Sequence, residues 1–156
     1  MPQVVLFQPQ IPPNTGNVAR TCAATNSELH LIEPLGFEIN DRQLRRAGLD
    51  YWPWVKLHRH ADFAAFSQHR LERGGRLLAL SRQGAHPYAQ EHFAVDDWLL
   101  FGRETDGLPQ EVLHSCSQCL AIPMAGSIEH GGGVRSLNLS VAVGVVLFEA
   151  LRQLET

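Results

Sequence analysis

The sequence predicts a single α/β domain over residues 1–156, a mostly parallel sheet flanked by helices. Two observations carry that expectation. Short apolar runs rich in β-formers alternate with stretches of helical period along the whole chain, the pattern of strands joined by crossover helices. Hydrophobic residues make up 44% of the 156, enough to bury one core of ordinary size.

The elements follow in order. Gln3–Gln8 reads as the first strand, broken by Pro12-Pro13. Asn14-Thr15-Gly16-Asn17 then caps a helix expected over Val18–Thr25, since Asn and Thr are favoured N-caps. Leu29–Ile32 is a second strand, ended by Glu33-Pro34. Asp41–Ala47 reads as a short basic helix, and Ala61–Leu71 as a helix with Phe63 and Phe66 on one face. Arg76–Leu80 and Trp98–Phe101 are strands. Pro109 opens a short helix at its first turn, where proline is tolerated. Leu120–Ile122 is a strand closed by Pro123. The last helix is expected over Ser136–Gln153, with apolar residues at 137, 141, 145, 148 and 151.

Composition removes several function classes. No stretch of 18 apolar residues is present, so no membrane span is expected. The N-terminus lacks a basic region followed by a long apolar run and reads as a strand rather than a signal peptide. Cys22, Cys116 and Cys119 form no disulfide framework and suit a reducing cytoplasm. Cys116 and Cys119, with His114 nearby, lack the second ligand pair of a closed zinc site, so buried reduced thiols are expected and no metal. The eight histidines are scattered and read mostly as surface residues. A net charge of −3 argues against an indiscriminate polyanion binder. Residues 41–60 are locally basic, with Arg42, Arg45, Arg46, Lys56 and Arg59 against Asp41 and Asp50. Arginine's planar fork suits phosphate, although a GC-rich coding sequence gives the same preference for arginine over lysine.

No G-x-G-x-x-G follows the first strand and no G-x-x-x-x-G-K-[ST] is present, so neither a dinucleotide Rossmann site nor a P-loop is supported. Three other segments stand out. Asn14 to Arg20 places polar groups at the C-terminal end of the first strand, the edge where open α/β sheets bind ligands. Phe101 to Pro109 is a glycine-punctuated loop carrying Glu104; Gly102 and Gly107 would let backbone approach a ligand. Ile122-Pro123-Met124 is followed by a loop and then Arg135 to Gly144, with Ser136 and Asn138 at the mouth of the last helix, where backbone N–H groups are unpaired. Each also reads as an ordinary strand-to-helix connection.

Taken together, N-T-G-N-x-x-R, F-G-x-E-x-x-G-L-P, I-P-M and S-L-N-L-S-V-A-V occur in the order found in the SPOUT superfamily of RNA methyltransferases. Within it the chain resembles the small tRNA wobble-position 2′-O-methyltransferases. Leu31 to Phe37 and Leu44 to Tyr51 also resemble that group, and the likeness runs almost end to end. The resemblance implies a C-terminal trefoil knot, S-adenosylmethionine as methyl donor, a homodimer whose interface completes the active site, and tRNA as substrate. Carried over residue by residue, it implies Leu80, Gly102, Ile122, Met124, Ser136 and Leu137 for the cofactor pocket. Asn14, Arg20, Glu104, Ser136 and Asn138 are implied for the chemistry, which requires no metal. Arg42, Arg45, Arg46 and Arg59 would contact RNA phosphates. Tyr51, Trp52 and Trp54 would stack on bases or pack in a core or interface. Two departures stand near the pocket: Arg103, where relatives carry proline or a small residue, and a longer loop over Ala125–Val134. Methylation of another tRNA or rRNA ribose, or a non-catalytic RNA-binding module, are the alternatives.

Overall fold

The computed structural model describes residues 1–39, 42, 46, 49–126 and 133–155. Among these, seven strands form one wholly parallel sheet: β1 (Gln3–Phe7), β2 (Glu28–Ile32), β3 (Lys56–His60), β4 (Leu77–Leu80), β5 (His86–Pro87), β6 (Trp98–Phe101) and β7 (Gln118–Ala121). Their order across the sheet is β3-β2-β1-β6-β4-β7-β5. The central strands are almost purely apolar because both faces are covered. Side chains alternate between faces. Val4, Leu6, Leu29, Leu31, Leu78, Leu99 and Phe101 point to one layer, built from helix α1 (Pro12–Thr25) and helix α4 (Leu139–Leu154). Val5, Phe7, Ile32, Leu77, Ala79, Trp98 and Leu100 point to the other, covered by α2 (Phe63–Arg73) and α3 (Gln110–His114). The expected α/β class is what the chain adopts.

The expected boundaries need four corrections. Pro12-Pro13 do not merely end the first strand; they are the first two residues of α1, where a fixed φ and a missing N–H cost nothing. Asn14-Thr15-Gly16-Asn17 is therefore helical and not a cap, and the N-cap Ile11 has no capping side chain of its own. At the other end, α4 begins at Leu139 rather than Ser136, because Asn138 is its N-cap and accepts from Ser140 N at 2.9 Å. Strand β3 was not foreseen: KLHRH reads as polar, and it forms because it is an edge strand with one exposed border. Strand β5 is two residues long and left no period to find. The basic helix expected over 41–47 falls largely outside the described residues; Arg42 and Arg46 are helical and exposed, and Arg45 lies outside.

A parallel sheet gathers all strand C-termini at one border. Helix α1, leaving β1, packs on one face, while α3, following the neighbouring strand β6, packs on the other. The connections of two adjacent strands thus diverge, which opens a crevice beyond their C-terminal ends.

Candidate active site

That crevice is a cavity of about 470 Å³. Its lining comes from the ends of β1, β4, β6 and β7 and from the approach to α4. Leu80, Ile122, Met124, Leu137, Leu139 and Ala142 supply apolar surface, and Ser81, Gly102, Glu104, Ser136 and Asn138 supply polar atoms. The volume lies in the range of small-molecule and cofactor sites, as does the balance of apolar wall with a few convergent polar groups. All six residues expected to hold a cofactor line this one cavity, together with Asn14, Glu104 and Asn138.

The polar residues of the three segments are joined to each other. Glu104 Oε1 accepts from Gln10 N at 2.9 Å, and Oε2 accepts from Ile11 N at 2.8 Å and from Asn14 Nδ2 at 3.4 Å. Asn14 Oδ1 in turn accepts from Asn138 Nδ2 at 2.9 Å. Asn138 Oδ1 accepts from Ser140 N and, at 2.6 Å, from Ser140 Oγ. One chain of hydrogen bonds therefore ties the β6 loop, the start of α1 and the start of α4. Glu104 replaces the missing cap of α1 and sets a negative charge at the positive end of the helix dipole. Asn14 is 8% exposed in this network and Thr15 is fully buried.

The β6 loop is held shut from within. Arg103 and Gly107 exchange backbone hydrogen bonds at 3.2 and 3.0 Å. A Cβ on Gly102 would sit 2.5 Å from the Gly107 carbonyl carbon, and Gly107 has φ +70°. The two glycines thus allow the loop's tight return, and both also line the cavity. Arg103 is accommodated: Nε donates to Asp106 Oδ1 and Nη1 to Gln8 Oε1, each at 2.7 Å, with the guanidinium over the Phe7 ring.

Arg20 is placed elsewhere. It lies six residues beyond Asn14 on α1, about 9 Å along the axis. It is exposed, does not line the cavity, donates to the Tyr51 hydroxyl at 3.3 Å and stacks 4.6 Å over that ring. Trp52 packs against the core, and Trp54 is 68% exposed. Arg59 is ion-paired with Glu33. Sequence reasoning missed Ser81, Arg82, Gln83 and Arg135, which also line the cavity. The signal was available, since residues 81–83 directly follow a strand's C-terminal end. Burial pushes the Cys22 thiol up to about 12, and burial together with Cys119 lifts Cys116 to about 11, so neither is a poised thiolate.

The description SpoU rRNA Methylase family matches residues 1–148. A Saccharophagus degradans protein named tRNA (cytidine(34)-2′-O)-methyltransferase is 47% identical, over 97% of this chain and 94% of its own length. A Yersinia pestis protein of the same name is 45% identical over 99% and 94%. Among solved structures, one concerned with 2-OH methylation of C/U34 on tRNA superposes with a TM-score of 0.89 at 53% identity, over 97% of this chain and 95% of that one. The SpoU methyltransferase AviRb from Streptomyces viridochromogenes, in complex with AdoMet, gives 0.85 at 25% identity, covering 97% of this chain and 59% of that one. The backbone is thus that of the solved SpoU enzymes, with which the knot expected over the C-terminal half belongs.

Proposed function

The chain belongs to the SpoU rRNA methylase family, and from that membership we propose that it transfers a methyl group from S-adenosylmethionine to the ribose 2′-OH of the tRNA wobble nucleotide, cytidine or uridine 34. The observation that carries the reading is the single cavity into which the three sequence segments converge.

Leu80, Ile122, Met124 and Leu137 offer the adenosine an apolar slot, and Gly102 and Ser136 offer backbone and side-chain polar atoms at its rim. When bound there, the donor supplies an electrophilic methyl on a sulfonium leaving group. The remaining task is to hold the ribose hydroxyl in line and to ease loss of its proton. A guanidinium is a poor base, so the role of Arg20 in this reading is electrostatic: it stabilises the developing alkoxide or holds the neighbouring phosphate. Asn14, Glu104 and Asn138 act through position, tying the starts of α1 and α4 to the β6 loop around the donor pocket.

Because Arg20 stands outside its own chain's cavity, the working unit is a homodimer in which a second copy completes the site. The solvent face of α4 supports it: Val141 is 50% and Phe148 56% exposed on an otherwise apolar helix. Sedimentation should give about twice 17.4 kDa. RNA phosphates are met by Arg42, Arg45, Arg46 and Arg59. No helix among the described residues is long and apolar enough to cross a membrane, and we place the enzyme in the cytoplasm with its substrate.

The test is methyl transfer from labelled donor to tRNA, followed by mapping of the product nucleotide. Label at ribose 34 is the expected result. Label at another ribose moves the substrate assignment, and no transfer to any RNA with donor bound overturns the enzymatic reading.

A further inference from the structure

The face of the sheet turned away from the cavity holds a second cluster of reactive side chains. His30 of β2, His58 and His60 of β3 and His69 of α2 meet beneath α2, although they are scattered in sequence. Ring centroids lie 5.2 Å apart for His30 and His60, 5.0 Å for His60 and His69, and 5.6 Å for His30 and His69. One ring nitrogen from each of these three falls within 4.8 Å of the other two. His30 is fully buried and His60 8% exposed, against walls of Phe66 and Trp98. Three imidazoles set tetrahedrally about one ion, with metal–nitrogen bonds of about 2.1 Å, have centroids about 5 Å apart.

The hydrogen bonds around His30 add a second argument. Glu28 is gripped by both Nη atoms of Arg73 at 2.8 and 2.9 Å, an ion pair. A carboxylate only accepts, so the Nε2 of His30, 3.2 Å from Glu28 Oε1, carries the ring proton. The His30 Nδ1 is then the acceptor of a 2.9 Å hydrogen bond from His60 Nε2, whose proton a bound ion would displace. A carboxylate fixing the far nitrogen of a buried imidazole, so that the near nitrogen is turned toward other imidazoles, is how proteins prepare metal-binding histidines. Arg73, 3.5 Å from His69 Nε2, has its charge already matched by Glu28.

We propose that His30, His60 and His69 bind one divalent transition-metal ion of the zinc class, with Glu28 orienting His30 and the fourth position open toward His58 and solvent. An all-imidazole set suits zinc, copper, nickel or cobalt rather than magnesium or calcium. The ion clips α2 to β2 and to the polar edge strand β3. The site lies across the sheet from the cavity and takes no part in methyl transfer.

Tag-free protein stripped with a chelator is titrated with Zn²⁺ by calorimetry and with Co²⁺ by visible absorption. The expected result is one ion per chain, a four-coordinate cobalt spectrum without thiolate charge transfer, and a higher melting temperature on loading. His69 is only half-buried on a helix surface, so His69→Gln should fold, bind S-adenosylmethionine normally and lose at least tenfold in metal affinity. Absence of saturable uptake at millimolar ion overturns the proposal. So does a thiolate band, which would assign uptake to Cys116 and Cys119, or uptake unchanged in His69→Gln. Should His69→Gln not fold, the stoichiometry and spectrum of the native chain decide alone.

Discussion

Replacing Glu104 by Gln separates a structural from a chemical reading of that carboxylate. The Glu104 side chain accepts three hydrogen bonds, two of them from backbone N–H groups at the start of α1. Glutamine keeps one acceptor oxygen, removes the charge, and turns an NH₂ toward one of those N–H donors. A hydrogen bond to a charged acceptor contributes about 1.5–3 kcal/mol when well buried. The interaction with the helix dipole adds about 0.3–1 kcal/mol. Glu104 is half-buried, which halves such values, so a loss of about 1–2 kcal/mol is expected. For a chain of this size that lowers the melting temperature by about 2–8 °C. The assay is thermal unfolding at fixed protein concentration, paired with donor affinity and turnover at saturating donor. The expected pattern is a lowered melting temperature, several-fold weaker donor binding through the loosened Asn14–Asn138 contact, and turnover reduced by less than tenfold. An unchanged melting temperature with turnover abolished would refute the reasoning and make Glu104 a participant in proton transfer.

Arg20→Ala should reduce turnover by about 10²–10³ while leaving donor affinity nearly unchanged, as single-turnover kinetics and calorimetry can check. Arg45→Ala combined with Arg46→Ala should weaken tRNA binding, flatten its dependence on salt and recover most of its rate at saturating tRNA, read from filter binding across a salt series. Phe148→Asp should shift sedimentation toward 17.4 kDa and remove activity with the fold intact by circular dichroism. Cys22, fully buried and with its thiol raised to about 12, should resist alkylation at pH 8 in the native protein and react once urea unfolds it. Because only the unfolded chain can shed that proton, Cys22 also lowers stability as pH climbs from about 9 toward 12.

The apolar strands β1, β2, β4 and β6 were legible because burial on both faces writes them as continuous runs such as VVLF and WLLF. The pocket was legible because its residues follow strand ends. Three things were not. The start of α1 depends on a carboxylate ninety-four residues away in sequence, at Gln10, which no local pattern encodes. The start of α4 turned on which of two cap-forming residues two positions apart, Ser136 or Asn138, reached a helix N–H. The histidine cluster was invisible because His30, His58, His60 and His69 meet only through the pairing of β2 with β3 and the docking of α2. Isolated histidines in a sequence carry no sign of one another.

The strand order also shapes how this chain can be made. Strands β1, β2 and β3 pair in the order of synthesis, so half the sheet can assemble from the first sixty residues. The other border of β1 has no partner until Trp98–Phe101 emerges, since Val4 pairs with Leu99. Closing that span costs about 1 kcal/mol more entropy than joining β1 to β2. During translation the apolar edge of β1 is thus left open for many residues of elongation. β6 must then slot between β1 and β4 rather than add to the outside of a growing sheet. Such late insertion predisposes the nascent chain to slow folding and to edge-to-edge association with other unfinished copies.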